Sequence, residues 1–319
     1  MLSQTGCMDP ARPTMMAASV IPYEVNSPLW SDGADKQRGM ALPVGAKIHA
    51  KNCTTTPAEC AQGPADDGKW VMPVGTVMVK SFLFDGKMVE TRLFVRSDQA
   101  TWTGYSYKWN EAQTDATIVA DERVETAFNT GARTVTWHYP SRTDCMSCHV
   151  ATAGSTLGPE TAQMNRVAGG GNQLDRWDDM GLFDAPLPMP YKAALIDPLN
   201  AQAGTIDQRA RSYLHANCGF CHRPNDENFA EIDLRRDIAF KDTNSCGTEP
   251  HKGDQGVAGA LVIDPTRPDN SVMVLRMIAP PEDMDGKHGR MPKLASYVVD
   301  QQAVTIIRSW ISQIANCPQ

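Results

Sequence analysis

The chain has 319 residues, 41% of them apolar and 21% charged, with a formal net charge of −7. That is an ordinary globular composition, long enough for two compact units. It argues against nucleic-acid binding, because no Lys/Arg run offers a phosphate track and the excess acidity favours a basic partner surface. No apolar stretch approaches the roughly 20 residues of a bilayer-crossing helix, so the chain is expected not to span a membrane.

Residues 1–140 read as an antiparallel β domain, with strand signals from residue 20 onward. Gly75–Phe84 and Lys87–Arg96 are rich in β-branched and aromatic residues and flank Asp85-Gly86, a strong hairpin signal. Trp102–Trp109 carries large aromatics at Tyr105, Tyr107 and Trp109 and predicts a further strand. Thr117–Ala120 and Thr134–Tyr139 are weaker strands, the last of them leading toward Cys145. Core packing is the expected use of these aromatics; docking of a partner by Trp102, Tyr105 and Trp109 is the alternative if they are exposed.

Residues 141–204 read as a segment of loops and short helices. It has a break at Gly169-Gly170-Gly171, a helix over Asn172–Met180 and a Pro-rich linker at Pro186, Pro188 and Pro190. Residues 205–319 read as an independent helical domain. Asp207–Asn217 predicts its first helix, and Asp300 caps a last helix with Val304, Ile307, Trp310, Ile311 and Ile314 on one face.

Two pentapeptides dominate the chemistry: Cys145-Met146-Ser147-Cys148-His149 and Cys218-Gly219-Phe220-Cys221-His222. Each is a C-x-x-C-H, the attachment signature of c-type haem. Two thiols one turn apart suit thioether bonds to the two vinyl groups of one porphyrin, and the following His suits the proximal iron position. A thiol redox pair or a four-cysteine zinc site does not account for a His in the same register twice. The expected cofactors are therefore two covalently attached haem c groups, held by Cys145, Cys148, Cys218 and Cys221 with iron on His149 and His222.

Covalent haem is attached outside the bacterial cytoplasm, and Met1–Pro10 carries no basic region followed by an apolar core. The expectation is a periplasmic or extracellular protein whose leader lies upstream of this numbering, or a chain that is part of a longer polypeptide. Cys7 lacks the preceding apolar run of a lipidation site. Five cysteines remain outside the motifs, so an oxidising compartment predicts disulfides with one thiol left over. Cys53 and Cys60 suit a local staple, and Cys246 with Cys317, or Cys7 with either, a longer one.

Residues 205–317 resemble class I cytochromes c through the second C-x-x-C-H, Met291-Pro292 and the terminal helix. The resemblance implies Met291 as the distal ligand of the second haem, with Met277, Met284 and His288 nearby. The first haem has no comparable partner among His138, Met164, Met180, Met189 and His215, and an open iron is an equal reading. Pro73–Lys80 inside a β domain closed by C-x-x-C-H resembles the cytochrome c′-β group. That resemblance implies a haem lying on a sheet and draws attention to Lys80, whose ordinary reading is a solvated strand residue. The whole chain, with Asn26–Ala34 and Asn110–Ala116, resembles a bacterial family of exported dihaem cytochromes c sometimes associated with quinoprotein-type sugar dehydrogenases. Asn26, Trp30 and Asp32 are read as supporting the first haem, binding a cation or simply forming a turn.

The fold class these signals predict is α+β: an antiparallel β domain leading into a haem-binding segment, followed by an all-α class I cytochrome c domain. The predicted function is electron transfer between redox protein partners such as a dehydrogenase. The alternatives are a dihaem enzyme acting on peroxide or a nitrogen oxide at an open first haem, and a non-catalytic subunit docked to a dehydrogenase.

Overall fold

The computed structural model describes residues 1–60, 63–120, 124–224, 231–280, 289–293 and 296–318. Among the described residues, fourteen strands and six α-helices make the chain β-rich. It divides into two compact units, one of residues 1–25, 34–52 and 68–194, the other of residues 26–33, 53–67 and 195–319. No described helix is long and apolar enough to cross a membrane.

A six-stranded antiparallel meander organises the first unit. Its strands are β1 (Ile21–Pro22), β2 (Asp35–Ala41), β3 (Val77–Phe84), β4 (Lys87–Arg96), β5 (Trp102–Trp109) and β6 (Ala116–Ile118), each paired with its neighbour in sequence. The β3–β4 turn forms at Asp85-Gly86, both with positive φ, as a two-residue turn of matching twist requires. A bulge between Phe82 and Leu83 shifts the register near that turn.

Both faces of the meander are covered. On one, Val79, Leu83, Leu93, Tyr107 and Trp109 pack with Leu2, Cys7, Met8 and Val20. On the other, Met40, Met78, Phe94 and Trp102 pack with Trp70, Met164, Leu174, Trp177 and Phe183. A hairpin of β7 (Val124–Asn129) and β8 (Thr134–Tyr139) contributes Phe128, Trp137 and Tyr139 over Phe82 and Phe84. Trp102 and Trp109 are buried, so these aromatics serve the core. Three short helices follow: α1 (Arg142–Met146), α2 (Thr161–Met164) and α3 (Gln173–Asp179), the last capped by Asn172.

The second unit contains α4 (Ile206–Asn217), α5 (Val272–Ile278) and α6 (Gln301–Ser312). Thr205 and Gln208 form a capping box at the start of α4, and the Asp300 carboxylate caps α6 by accepting from the Ala303 amide at 3.0 Å. The apolar faces of α4 and α6 meet through Ala210, Tyr213, Leu214, Val304, Ile307, Trp310 and Ile311. Trp310 Nε1 donates to Asp207 at 2.9 Å across the same contact.

The expected all-α class I cytochrome c domain is not what this region forms. Between α4 and α5 the described chain contains 3₁₀ turns and isolated bridges pairing Cys246 with Ile263 and Leu261 with Ser271, not helix. Gly247, Gly253, Gly256 and Gly259 all adopt positive φ there, and Pro250, Pro265 and Pro268 interrupt any helical run. The expected α+β layout with an all-α half therefore gives way to a β-rich chain whose second unit is three helices joined by irregular backbone.

Two disulfides close loops in the second unit, Cys53–Cys60 and Cys246–Cys317, and Cys7 is the buried thiol left over.

The edge of the meander depends on Gly39 in β2. A Cβ there would lie 2.4 Å from Val20 Cγ1 and 2.7 Å from Met16 Sδ. Gly39→Ala is expected to lower stability by about 1–3 kcal/mol through overpacking. Gln37→Ala, at an exposed position of the same strand, is expected to stay within about 0.5 kcal/mol. Urea unfolding of the two variants checks the contrast.

Candidate haem-attachment sites

Both pentapeptides fold into the same turn. In the first, the amides of Cys148 and His149 donate to the Cys145 carbonyl at 3.3 and 3.1 Å. In the second, those of Cys221 and His222 donate to the Cys218 carbonyl at 3.0 and 2.8 Å. This brings Cys, Cys and His together within one turn at each site, the arrangement a single porphyrin requires.

The turns are launched differently. Ser141 Oγ accepts from the Asp144 amide at 3.1 Å while the Asp144 carboxylate accepts from the Ser141 amide at 3.0 Å. That capping box starts α1, which carries Cys145. Cys145 then docks on Gly104 of β5, where a Cβ would stand 2.8 Å from its Sγ. A glycine amid aromatic strand residues marks this close approach.

His149 rests on the sheet, its ring 4.3 Å from that of Phe94, which stacks in turn on Trp102 at 4.8 Å. Its Nδ1 lies 2.6 Å from the Ser155 carbonyl, which accepts the Nδ1 proton and leaves Nε2 as the nitrogen for a metal. Burial, with the charges of Lys80 and Arg92 adding to it, pushes the imidazole down to about 4, so the ring is neutral at physiological pH.

One step along the ladder from Phe94 lies a row that sequence reading missed. Arg38, Lys80, Arg92 and Ser106 are consecutive cross-strand partners on β2 to β5. Arg92 grips Glu90 with two bonds of 2.8 Å, and Trp137 Nε1 donates to the same carboxylate at 2.9 Å. Lys80 is not a solvated strand residue: it is partly buried, with its ammonium 5.0 Å from the centre of the Phe82 ring. Burial, then the charges of Arg38, Lys36 and Arg92, hold that ammonium well below its ordinary value. Strand register is the signal that could have exposed the row.

The residues weighed as a sixth ligand for the first haem serve other ends. Met164 is fully buried in the core and its sulfur accepts from Gln173, whereas Met180 and Met189 are exposed. His138 pairs with Glu125 at 3.3 Å, and His215, in the second unit, accepts the Arg236 amide at 3.1 Å.

In the second unit α4 delivers Cys218 directly. Asn217, fully buried, accepts the Trp30 amide at 2.7 Å and donates to the Tyr213 carbonyl at 3.1 Å. Trp30 Nε1 donates to the Val298 carbonyl at 3.0 Å, and Asp32 accepts the Val298 amide at 2.8 Å. Residues 26–33 thus brace the second motif's helix. Buried Arg223 donates through Nε to the Gly219 carbonyl at 2.7 Å.

Met291 lies on a loop whose backbone is held by two buried arginines. Its amide donates to the Arg276 carbonyl at 3.0 Å, and Arg276 reaches the Gly289 carbonyl. Arg290 donates to the carbonyls of Ala279, Ser296 and Tyr297 at 2.7 Å each. Met277 belongs to the core, and Met284 and His288 lie outside the described residues.

The donor set fits covalent haem. None of the four motif cysteines is in a disulfide, although four others are. The two pairs lie in different units, and no cluster of three or more metal-binding side chains occurs among the described residues. Burial raises the thiols of both Cys145 and Cys218, the latter to about 12, opposite to the depressed value of a reactive thiol pair.

Met146 and Gly219 occupy the same motif position in different surroundings. Met146 is exposed, whereas a Cβ at Gly219 would meet the His215 carbonyl oxygen at 2.9 Å. Gly219→Ala is expected to cost about 1–3 kcal/mol and Met146→Ala less than about 0.5 kcal/mol, measured by denaturant unfolding.

Comparison with known protein families, curated proteins and solved structures returns no match, so these functional assignments rest on the chain's own residues.

Proposed function

We propose that the chain is a dihaem c-type cytochrome that carries electrons between redox partners outside the cytoplasm. The observation that carries this reading is the common turn of the two pentapeptides, each gathering two thiols outside any disulfide and one His. When bound, haem c supplies one-electron redox chemistry.

The residues have distinct tasks. Cys145 with Cys148, and Cys218 with Cys221, form the thioethers. His149 offers Nε2 to iron while the Ser155 carbonyl fixes its tautomer and orientation. His222 would ligate iron in the second unit, and Met291 would supply a soft thioether there, favouring the reduced state. The two disulfides suit an oxidising compartment and support export to the periplasm or beyond. The partner is a redox protein, with a quinoprotein-type dehydrogenase as the donor to examine first.

A second reading, an enzyme with an open first haem acting on a small molecule, is favoured by one observation. Met164, Met180, Met189 and His138 are each in the core, at the surface or in another pairing.

Expression with a haem-attachment system, followed by pyridine haemochrome assay and mass spectrometry, is expected to show two covalent haems. Replacing Cys145 and Cys148 by Ala, or Cys218 and Cys221, should remove one each; a chain without covalent haem sinks the proposal. Met291→Ala should keep both haems and lower one midpoint potential, and an unchanged potential rules that ligand out. A high-spin ferric signal with carbon monoxide binding at half the haem selects the enzyme over the relay.

A further inference from the structure

The sheet face that carries His149 gathers positive charge without matching negative charge. Arg38 lies directly opposite Lys80, and Lys80 opposite Arg92, on adjacent strands. Such partners hold their Cβ atoms about 5 Å apart, close enough for like charges to repel. Arg92 is neutralised in place by Glu90, whose oxygens are committed to it and to Trp137. Glu24, the carboxylate that acts on Arg38, is held by Arg166 at 2.6 Å. In the neighbouring row Lys36 donates to the Ala34 carbonyl and Lys108 to Thr126 Oγ1.

Two cations are left over. Among the described residues the Arg38 guanidinium and the Lys80 ammonium make no hydrogen bond and no ion pair with an acid. Both residues are partly buried, in a chain of net charge −7 that had acidic residues to spare. Like charges set side by side at partly buried positions repel, and an anion between them would relieve that repulsion. The fork of Arg38 suits two oxygens of one planar group, with Lys80 as an adjacent point charge. The neighbouring row, Met40, Met78, Phe94 and Gly104, is where His149 and Cys145 rest, so the anion would lie one ladder step from the haem-attachment residues.

We propose that Arg38 and Lys80 form an oxyanion-binding site on the first unit. Its ligand is a carboxylate-like group, which is either a propionate of the haem at Cys145 and Cys148 or a free inorganic oxyanion. The propionate source rests on the haem reading above; the free-oxyanion source does not.

Calorimetric titration of the full chain with sodium nitrate at constant ionic strength separates the two, with covalent haem counted on the same samples. If the site takes a free oxyanion, the native protein binds nitrate. Arg38→Gln and Lys80→Gln each then weaken binding about tenfold or more, and by more than Lys36→Gln, which removes only a nearby charge. If a propionate fills the site, the native protein does not bind nitrate, and both variants shift the midpoint potential of one haem and leave the other in place. Absence of nitrate binding together with unshifted potentials overturns the proposal. A chain without covalent haem overturns the haem reading, and its nitrate titration alone then decides the oxyanion site. Lys80→Gln removes a repelling charge and is expected to fold at least as stably as the native chain, which keeps the test open should Arg38→Gln misfold.

Discussion

The pairing of β3 with β4 through the tight turn at Asp85-Gly86 determines what the first unit presents. Side chains on a strand alternate between faces, so a slip of one residue would exchange the face packed on Leu2 and Met8 for the one that meets His149. With the register as found, Phe94 and Gly104 fall in one row and receive His149 and Cys145, while Lys80 and Arg92 fall in the next. The bulge beside Phe82 lies beyond these rows, toward the turn, and leaves their alignment with β2 undisturbed. A hydrophobic constraint thus places chemical groups that are not hydrophobic themselves.

The two motifs share a backbone turn and differ in how the surroundings hold it. The first is pressed against a rigid sheet by a short capped helix, with a glycine supplied by the strand beneath. The second ends a 12-residue helix, carries its own glycine, and is held by side chains that reach backbone carbonyls: Arg223 at Gly219, and Arg276 and Arg290 around Met291. Sheet packing in one case and buried guanidinium bonding in the other produce the same local shape.

The legible part of the chain was what short-range pattern encodes. The Asp85-Gly86 hairpin, the Asp300 cap, the α4 helix, the α6 face, the Cys53–Cys60 staple and both pentapeptides could be read directly. Strand β2 escaped because Asp35–Ala41 alternates Lys36, Arg38 and Met40 with Gln37, Gly39 and Ala41, and neither set looks apolar. It is a strand because its neighbours need a partner and Gly39 lets the chain come close. The all-α reading of residues 205–319 failed for the converse reason. Helical signals stand at both ends, while the glycines and prolines between them specify loops that no periodicity announces. The bracing of Asn217 by Trp30 is separated by 187 positions and has no local signature.

The placement of residues 26–33 and 53–67 in the second unit has a consequence for how the protein can be made and inherited. Neither unit is a continuous stretch of chain, so no single cut yields both intact. During synthesis Trp30 and Asp32 emerge long before the helix and loop they bond, and the second unit waits for nearly the whole chain before it can close. A gene fragment beginning at residue 195 would encode the second pentapeptide without its brace. A single contiguous exchange of sequence therefore cannot transfer the second unit whole.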